Sequence, residues 1–316
     1  MTSSILRTLV WSELSETDKV SLVDRDLDKS IPSSLRDQIS SLIEDVRARG
    51  DAAVCDALRT FDKIEVSPSN LRVADAEWDA AASKVEPHVR EAITDMVVHI
   101  KRFNAELLKQ LKNWEFESEP GLRIVERVTP ISSAGLFCPS GKASYPSVLA
   151  QLGGPAVVAG VPQVAVVVPP KPGGAGEVDP AVLMVARELG LREVFRVNGP
   201  AGIAALACGT ETIPRVVKIM GPGSLPVTVA QLEVQRYGTA VHLALGPTES
   251  VVIADDTADP DVLALDLMTE AEHGTDSCTL FVTASRDLAR ATEERLRIHV
   301  AGLPSERPRQ CVPRSV

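Results

Sequence analysis

The chain has 316 residues, of which 44% are hydrophobic and 24% charged, values typical of a globular protein with one large or two medium cores. Its formal net charge of −10 argues against nucleic acid or an anionic membrane surface as a partner, because both attract basic patches. No apolar run reaches the ~18 residues of a membrane span, and no signal peptide follows Met1. We therefore expect a cytoplasmic protein with free thiols at its scattered cysteines, which are Cys55, Cys138, Cys208, Cys278 and Cys311.

The sequence before Pro130 is dominated by helical periodicity. Apolar residues from Leu35 to Val46 recur on one helical face, with Ser33 or Ser34 as the N-cap and Gly50 just beyond the end. The pattern predicts helices over about 33–49 and 54–61 and two more within 76–111, broken near residue 87, followed by an irregular extended stretch over 122–128.

After Pro130 the pattern changes to alternating strands and helices. Buried apolar runs that alternate with helices predict a parallel sheet covered on both faces. The predicted strands are 134–138, 164–168, 194–197 and 216–220, and the predicted helices are 147–158, 180–189, 200–207 and 226–234. Further strands at 240–245, 250–254 and 279–283 and helices at 260–273 and 286–299 complete the chain.

Loops rich in glycine and proline follow several of the predicted strands. In open parallel sheets, ligands bind at the carboxyl ends of strands, beside the N-termini of helices. None of these loops has the G-x-G-x-x-G pattern, so a standard dinucleotide-binding motif is not predicted. Their number still favours a ligand cleft; they are Cys138–Ala143, Asn198–Gly202, Gly221–Ser224 and Gly246–Ser250. Lys142 in the first loop is either an anchor for a phosphate or carboxylate or a solvated loop lysine.

Glu270 and His273 form a candidate metal pair. Three residues apart on a helix, they lie on one face and can bind the same divalent ion. The alternative is a structural one, in which His273 sits in the last helical turn before Gly274 and its charge complements the helix dipole. Two ligands do not complete a zinc site, so spacing alone leaves both readings open. His88, His99, His242 and His299 fall on ordinary helix or strand patterns and are not expected to complete it.

Several ordered motifs resemble the histidinol dehydrogenase family, between about Arg36 and Leu303. They are Val46-Arg47-Ala48-Arg49-Gly50-Asp51, Phe61-Asp62-Lys63, Gly135 to Ser147, Ile203 to Glu211, the Gly-Pro loops, Ala254-Asp255-Asp256 and Ala271 to Ser277. The resemblance implies an α/β protein of two incomplete Rossmann-like domains, with parallel sheets flanked by helices and the second domain inserted in the first. It implies an N-terminal arm over 1–30, a first domain over 31–132 and 247–316, and a second, cofactor-side domain over 133–246.

The resemblance also implies a chemistry. Family members are zinc- and NAD-dependent, and they oxidise an amino alcohol, histidinol, to the acid in histidine biosynthesis. By position, Glu270 and His273 would bind zinc and, with Thr248, the substrate. Three further residues would lie at the positions that bind NAD; they are Phe137, Ala201 and Ser224. The family is homodimeric, so we expect a homodimer here.

The departures from the family pattern concern the same positions. Glutamine is usual at Glu270 and serine at Thr248, although relatives acting on other alcohols carry threonine. Tyrosine, glutamine and asparagine are usual where this chain has Phe137, Ala201 and Ser224. Three lost polar contacts at ~1 kcal/mol each would weaken NAD binding about a hundredfold.

The family's later segment holds an acid–base Glu-His pair, and the chain ends before it, so no catalytic acid–base residue is assigned here. The resemblance therefore implies a divergent, C-terminally truncated member. Three hypotheses remain open: a dehydrogenase for histidinol or another small polar alcohol, a non-catalytic remnant that binds a ligand or partner, and a fragment with uncovered apolar surface.

Overall fold

The computed structural model describes residues 5–23, 31–140, 145–171, 174, 176–242, 248–271, 277–303 and 312. The chain divides into two compact units, one formed by Met1–Ser30 with Gly246–Val316 and the other by Ile31–Leu245. The division inferred from the resemblance, which joins 31–132 to 247–316, groups the chain differently and stays a prediction. Within the described ranges, no helix is both long enough and apolar enough to cross a membrane.

Helix α1 (Glu16–Val23) was not predicted. The other helices before the sheet lie close to their predicted positions; they are α2 (Ser33–Arg49), α3 (Asp51–Ala57), α4 (Asp75–Ala81) and α5 (Pro87–Leu108). Helix α2 buries Ile39, Ile43 and Val46 on one face, as its periodicity predicts. It ends at Gly50, whose φ of 57° is accessible to glycine and whose N–H donates to the Val46 carbonyl at 2.9 Å. Helix α3 continues into a π-helical turn over Leu58–Asp62.

The stretch after α5 forms a regular hairpin, so the expectation of an irregular extended segment is wrong. Strand β1 (Trp114–Glu119) pairs antiparallel with β2 (Leu122–Glu126). Gly121, at a φ of 84°, closes the turn, and the Asn113 side chain accepts a hydrogen bond from Val128 N at 2.7 Å at the base. The signal was present as the alternation of apolar and acidic residues along β1, followed by Pro120-Gly121.

The large unit is built on a parallel sheet, which confirms the predicted α/β class. Its strands and helices are β3 (Ser133–Phe137), α6 (Pro146–Val158), β4 (Gln163–Val168), α7 (Pro180–Leu189), β5 (Glu193–Arg196), α8 (Gly199–Cys208), β6 (Lys218–Met220), α9 (Leu225–Val234) and β7 (Ala240–Val241). The strand order is β5-β4-β3-β6-β7, and every neighbouring pair is parallel. The order therefore reverses between β3 and β6.

Both faces of this sheet are covered, because alternate residues of each strand enter different cores. On β4, Ala165 and Val167 pack into a core with residues of α2, α8 and α9. Val164, Val166 and Val168 point the other way, into a core with residues of α5, α6 and α7. Runs of small and β-branched apolar residues suit such doubly buried strands, which is why sequence patterning located them.

The unit of the chain termini contains a strand–helix–strand motif. Strands β8 (Glu249–Ile253) and β9 (Cys278–Val282) are parallel, with α10 (Pro260–Ala271) between them in the chain and α11 (Arg286–Gly302) after them. The hydrophobic core cluster of this unit comes mainly from the two helices; its buried members are Leu6, Ala264, Leu267, Met268, Ala271, Leu296, Val300 and Val312. Ser285 caps α11 by accepting from Leu288 N at 3.2 Å.

Candidate functional site

The carboxyl edge of the five-stranded sheet holds the clearest candidate site. Strands β3 and β6 are neighbours there, and the connections that follow them run to opposite faces of the sheet. Ligands of open α/β sheets bind in the crevice at such a switch point. Phe137 ends β3, and Gly221 follows Met220 at the end of β6, so both stand at this point.

The loop after β6 packs directly on the end of β3. Gly221 has a φ of 140°, and a Cβ added to it would lie 2.9 Å from the Phe137 carbonyl carbon and closer still to the oxygen. Only glycine permits this approach of two backbones. The side-chain amide of Gln231, which is 3% exposed, donates a hydrogen bond to the Gly221 carbonyl at 2.9 Å. This bond fixes the position of the loop after β6.

Sequence reasoning missed the role of Gln231. The available signal was an amide side chain among the mainly apolar residues of α9. A buried amide in such a place needs a partner, because leaving it unpaired costs ~1–3 kcal/mol. A search for a buried amide in this helix would therefore have pointed to a partner nearby, and the structure has it at Gly221, 10 positions earlier in the chain.

All three predicted cofactor positions lie at this edge, but they differ in exposure. Phe137 and Ala201 are 2% and 3% exposed, and both belong to the core between the sheet and α8. Ser224 is exposed and precedes α9, where its side chain makes no capping hydrogen bond among the described contacts. A ligand here would therefore meet backbone groups and Ser224 more than the side chains of the other two.

Asp62 lies at the same edge of the sheet, at the end of the π-helical turn that follows α3. Its carboxylate accepts a hydrogen bond from the Asn198 amide, which stands between β5 and α8. Burial raises the pKa of Asp62, and the hydrogen bond from Asn198 opposes that rise. The two residues are 136 positions apart, and only the fold brings them together.

Arg196 binds the adjoining loop, which connects β4 to α7. It is 8% exposed, forms an ion pair with Glu77 of α4, and donates to the Gly176 carbonyl at 2.9 Å. Gly176 has a φ of 103° and lies against Ile64. The segment after Asp62 and this loop are therefore in contact along the end of the sheet.

Cys138 follows β3 and is fully buried. Burial raises the pKa of its thiol to about 12. A neutral, enclosed thiol is a poor nucleophile, so Cys138 serves as a small residue of the core. The rest of its loop, with Lys142, lies outside the described residues.

The predicted substrate and metal residues belong to the unit of the chain termini. Thr248 immediately precedes β8, and its carbonyl accepts from Cys278 N at 3.1 Å. Glu270 is half-buried in the last turn of α10. His273 and the Gly246-Pro247 pair lie outside the described residues.

The described residues alone do not make a zinc site. Among them, no group of three or more His, Cys, Asp or Glu side chains is placed to hold a metal ion. Glu270 is thus the one predicted ligand with a described position, and a single carboxylate does not hold zinc.

Four histidines outside the predicted pair occupy unrelated places. His88 and His99 are exposed on α5, and His242 is exposed just after β7. His299 of α11 forms a 2.8 Å contact with the carboxylate of Asp261 on α10. That these four histidines do not complete the predicted zinc site stays a prediction.

Comparisons with known proteins identify the lineage. A family model described as histidinol dehydrogenase matches residues 27–313. "Histidinol dehydrogenase homolog 2" of Mesorhizobium japonicum is 40% identical over 297 residues, which cover 94% of this chain and 66% of that protein. "Histidinol dehydrogenase" of Xanthomonas euvesicatoria is 38% identical over 299 residues, which cover 94% of this chain and 68% of that protein.

A solved structure agrees with these matches. The crystal structure of histidinol dehydrogenase from Elizabethkingia anophelis superposes with a TM-score of 0.91 at 28% identity, covering 100% of this chain and 71% of that one. The chain spans 61% to 66% of the length of two of its curated relatives, from Colwellia psychrerythraea and Mesorhizobium japonicum. The family model, the sequence identities and the shared fold confirm the resemblance carried by the motifs: this chain belongs to the histidinol dehydrogenase family.

Proposed function

We propose that the chain takes part in NAD-linked oxidation of a small polar alcohol, with histidinol as the first candidate substrate and histidine biosynthesis as its setting. The observation that carries this proposal is the family match over residues 27–313. The net charge of −10 and the absence of a spanning helix among the described residues are compatible with the cytoplasmic location we propose.

The dinucleotide would bind at the carboxyl edge between β3 and β6. This location is supported by the strand order and by the close packing of Gly221 on Phe137. Helices α8 and α9 both begin at this edge, and helix N-termini favour phosphate groups. Since Phe137 and Ala201 are buried, Ser224 is the one predicted cofactor side chain exposed to a ligand.

Substrate and zinc would be held by Thr248, Glu270 and His273. Zinc, when bound, supplies a Lewis acid that orients and polarises an alcohol oxygen. A carboxylate at Glu270, in place of the glutamine usual in the family, adds negative charge beside the metal. The proposal includes a homodimer, because the family pattern places a further zinc ligand on the partner subunit.

Three alternatives differ from this proposal in what they predict. Thr248 favours a paralogous dehydrogenase for another small alcohol, because relatives acting on other alcohols share it. The substitutions at the three cofactor positions favour a non-catalytic protein that binds a ligand or a partner without turnover. A fragment that does not fold stably is the remaining possibility.

One assay separates these alternatives. The purified chain is mixed with NAD⁺, Zn²⁺ and L-histidinol, and the absorbance band of NADH is followed against a blank without protein. NADH formation that requires the alcohol supports the dehydrogenase. No NADH with L-histidinol, with cooperative thermal unfolding intact, favours the non-catalytic protein or the dehydrogenase for another alcohol. The same assay with other small polar alcohols tells these two apart, and loss of cooperative unfolding favours the fragment.

Metal binding is tested separately by measuring zinc retained after dialysis. We expect His273→Ala and Glu270→Ala each to lower the zinc content. Asp266→Ala is the matched control, since Asp266 is an exposed carboxylate on the same helix α10. Equal zinc content in all four proteins, wild type included, would contradict the assignment of these ligands.

A further inference from the structure

A cleft lies beside β5, the strand at one edge of the five-stranded sheet. Residues 71–73 pair with this strand: Val73 N donates to the Val194 carbonyl at 2.9 Å, and Arg196 N donates to the Leu71 carbonyl at 2.8 Å. The cleft opens next to this pairing and has a volume of about 570 Å³, within the range of small-molecule sites. It is lined mainly by Ser69, Arg72, Val73, Asp75, Trp78 and Arg192.

The base and the rim of the cleft differ in chemistry. Val73 and Trp78, which are 4% and 5% exposed, form an apolar base. Arg72, Asp75 and Arg192 are exposed and form the rim. The Arg192 guanidinium lies 5.3 Å from the centroid of the Trp78 ring, and this cation–π contact restrains the arginine beside the cleft. The cleft therefore presents two positive charges and one negative charge around an apolar base.

The three charges of the rim do not pair with one another. Within the part of the chain that the structure describes, Asp75 forms an ion pair with neither Arg72 nor Arg192, so the opposite charges lie farther apart than the 4.0 Å of such a pair. Many other exposed arginines do bind neighbouring carboxylates; they include Arg47, Arg49, Arg59 and Arg123. The separation leaves room for a ligand that contacts both kinds of charge.

A second cleft, in the unit of the chain termini, has a similar volume of about 530 Å³ but a different arrangement of charge. Its two arginines, Arg290 and Arg295, each lie 3.8 Å from a carboxylate, that of Asp287 and that of Asp261. A ligand there has to compete with these ion pairs. The cleft beside β5 is therefore the better binding site of the two.

We propose that the cleft beside β5 binds a free α-amino acid. The ligand's carboxylate binds Arg72 and Arg192, because guanidinium groups donate strong hydrogen bonds to carboxylates. Its ammonium group binds Asp75, and its side chain lies against the base of the cleft. A zwitterion suits this rim better than a simple anion, which Asp75 and the net charge of −10 would repel. The inference goes beyond the proposed function and requires neither NAD nor zinc.

The fluorescence of Trp78 measures binding in the cleft that this residue lines. The chain has three tryptophans, and the other two, Trp11 and Trp114, are 61% and 47% exposed. Trp11→Phe and Trp114→Phe together leave Trp78 as the single emitting indole. L-Alanine, L-phenylalanine and L-histidine are the probes, and at least one should give a saturable change with a dissociation constant of about 1 mM or below. Calorimetry repeats each titration.

Two variants and two modified ligands test the charges separately. Arg72→Gln and Asp75→Asn should each raise the dissociation constant at least about tenfold, because each removes one charge that the zwitterion binds. The amide of the bound amino acid lacks the carboxylate, and its N-acetyl form lacks the ammonium group. Both derivatives should bind at least about tenfold more weakly than the amino acid itself.

Arg187→Gln is the matched control, because Arg187 is an exposed arginine of α7 that does not line the cleft. It should keep the wild-type dissociation constant, and circular dichroism should show all variants folded, since exposed charges contribute little to stability. Absence of saturable binding with all three probes would overturn the proposal, as would a dissociation constant unchanged by Arg72→Gln or Asp75→Asn, or raised equally by Arg187→Gln. The titrations contain neither NAD⁺ nor Zn²⁺, so their failure is distinguishable from failure of the proposed dehydrogenase.

Discussion

Replacement of Gly221 by alanine tests the close approach of two backbones at the candidate cofactor edge. A Cβ at this position would overlap the Phe137 carbonyl group, which is main chain and cannot rotate away. It would also place an alanine at a φ of 140°, a conformation that residues with side chains rarely adopt. Either the end of β3 or the loop after β6 must therefore move.

The expected loss of stability combines two effects. The unfavourable φ costs ~1–2 kcal/mol, and the forced shift in a packed core costs about 1–3 kcal/mol more. The two costs sum to roughly 3.5 kcal/mol at their central values. At roughly 2–4 °C per kcal/mol for a unit of this size, Gly221→Ala should lower the melting temperature by about 7–14 °C. Gly160→Ala is the control, because Gly160 has a φ of 76° and no atom within 4 Å of the added Cβ. It should lose only ~1 kcal/mol.

Thermal unfolding followed by circular dichroism, at one scan rate for all proteins, measures the difference. We expect the Gly221 variant to melt clearly below the Gly160 variant. If the two variants melted within about 2 °C of each other, the inferred contact between Gly221 and Phe137 would be refuted.

Three other predictions concern the same unit. Arg196→Lys should lower the free energy of unfolding by about 2 kcal/mol, because the buried guanidinium binds the Glu77 carboxylate and the Gly176 carbonyl. Arg123→Lys, in an exposed ion pair, should lower it by no more than about 0.5 kcal/mol. Chemical denaturation of both variants measures the difference. Burial raises the pKa of Asp62, so its contribution to stability is present at low pH and is lost as pH rises through the folded-state value. Asp62→Asn should therefore raise the melting temperature relative to wild type more at pH about 7 than at pH about 4, and a difference independent of pH would contradict this. Cys138 is fully buried and burial raises the pKa of its thiol to about 12, so it should not react with iodoacetamide in the native protein. The half-buried Cys208 should be labelled under the same conditions. Mass spectrometry of the digested protein measures both.

The sheet was predictable from sequence because its strands are doubly buried. Runs such as Val164–Val168 have few polar interruptions, and each is followed by a helix with a clear start. The hairpin β1–β2 was not predicted, although apolar and acidic residues alternate along β1, because its strands lack the unbroken apolar runs that mark the buried strands of the sheet. Its order comes from register and local contacts instead.

The candidate site was only partly predictable. Sequence placed the glycine loops at strand ends, and the structure has Gly221 and Asn198 there. The contacts that shape the edge join residues far apart in the chain, such as Asp62 with Asn198, and spacing carries no information about them. The burial of Phe137 and Ala201 likewise depends on how α8 packs on the sheet.

Titration of the purified chain with NAD⁺ by isothermal calorimetry, well below the melting temperature, tests the central claim that a dinucleotide binds between β3 and β6. The wild-type chain and the Gly160→Ala variant should show the same saturable binding, and Gly221→Ala should weaken it at least about tenfold. Absence of saturable binding to the wild type, or equal affinity in all three proteins, would contradict the account.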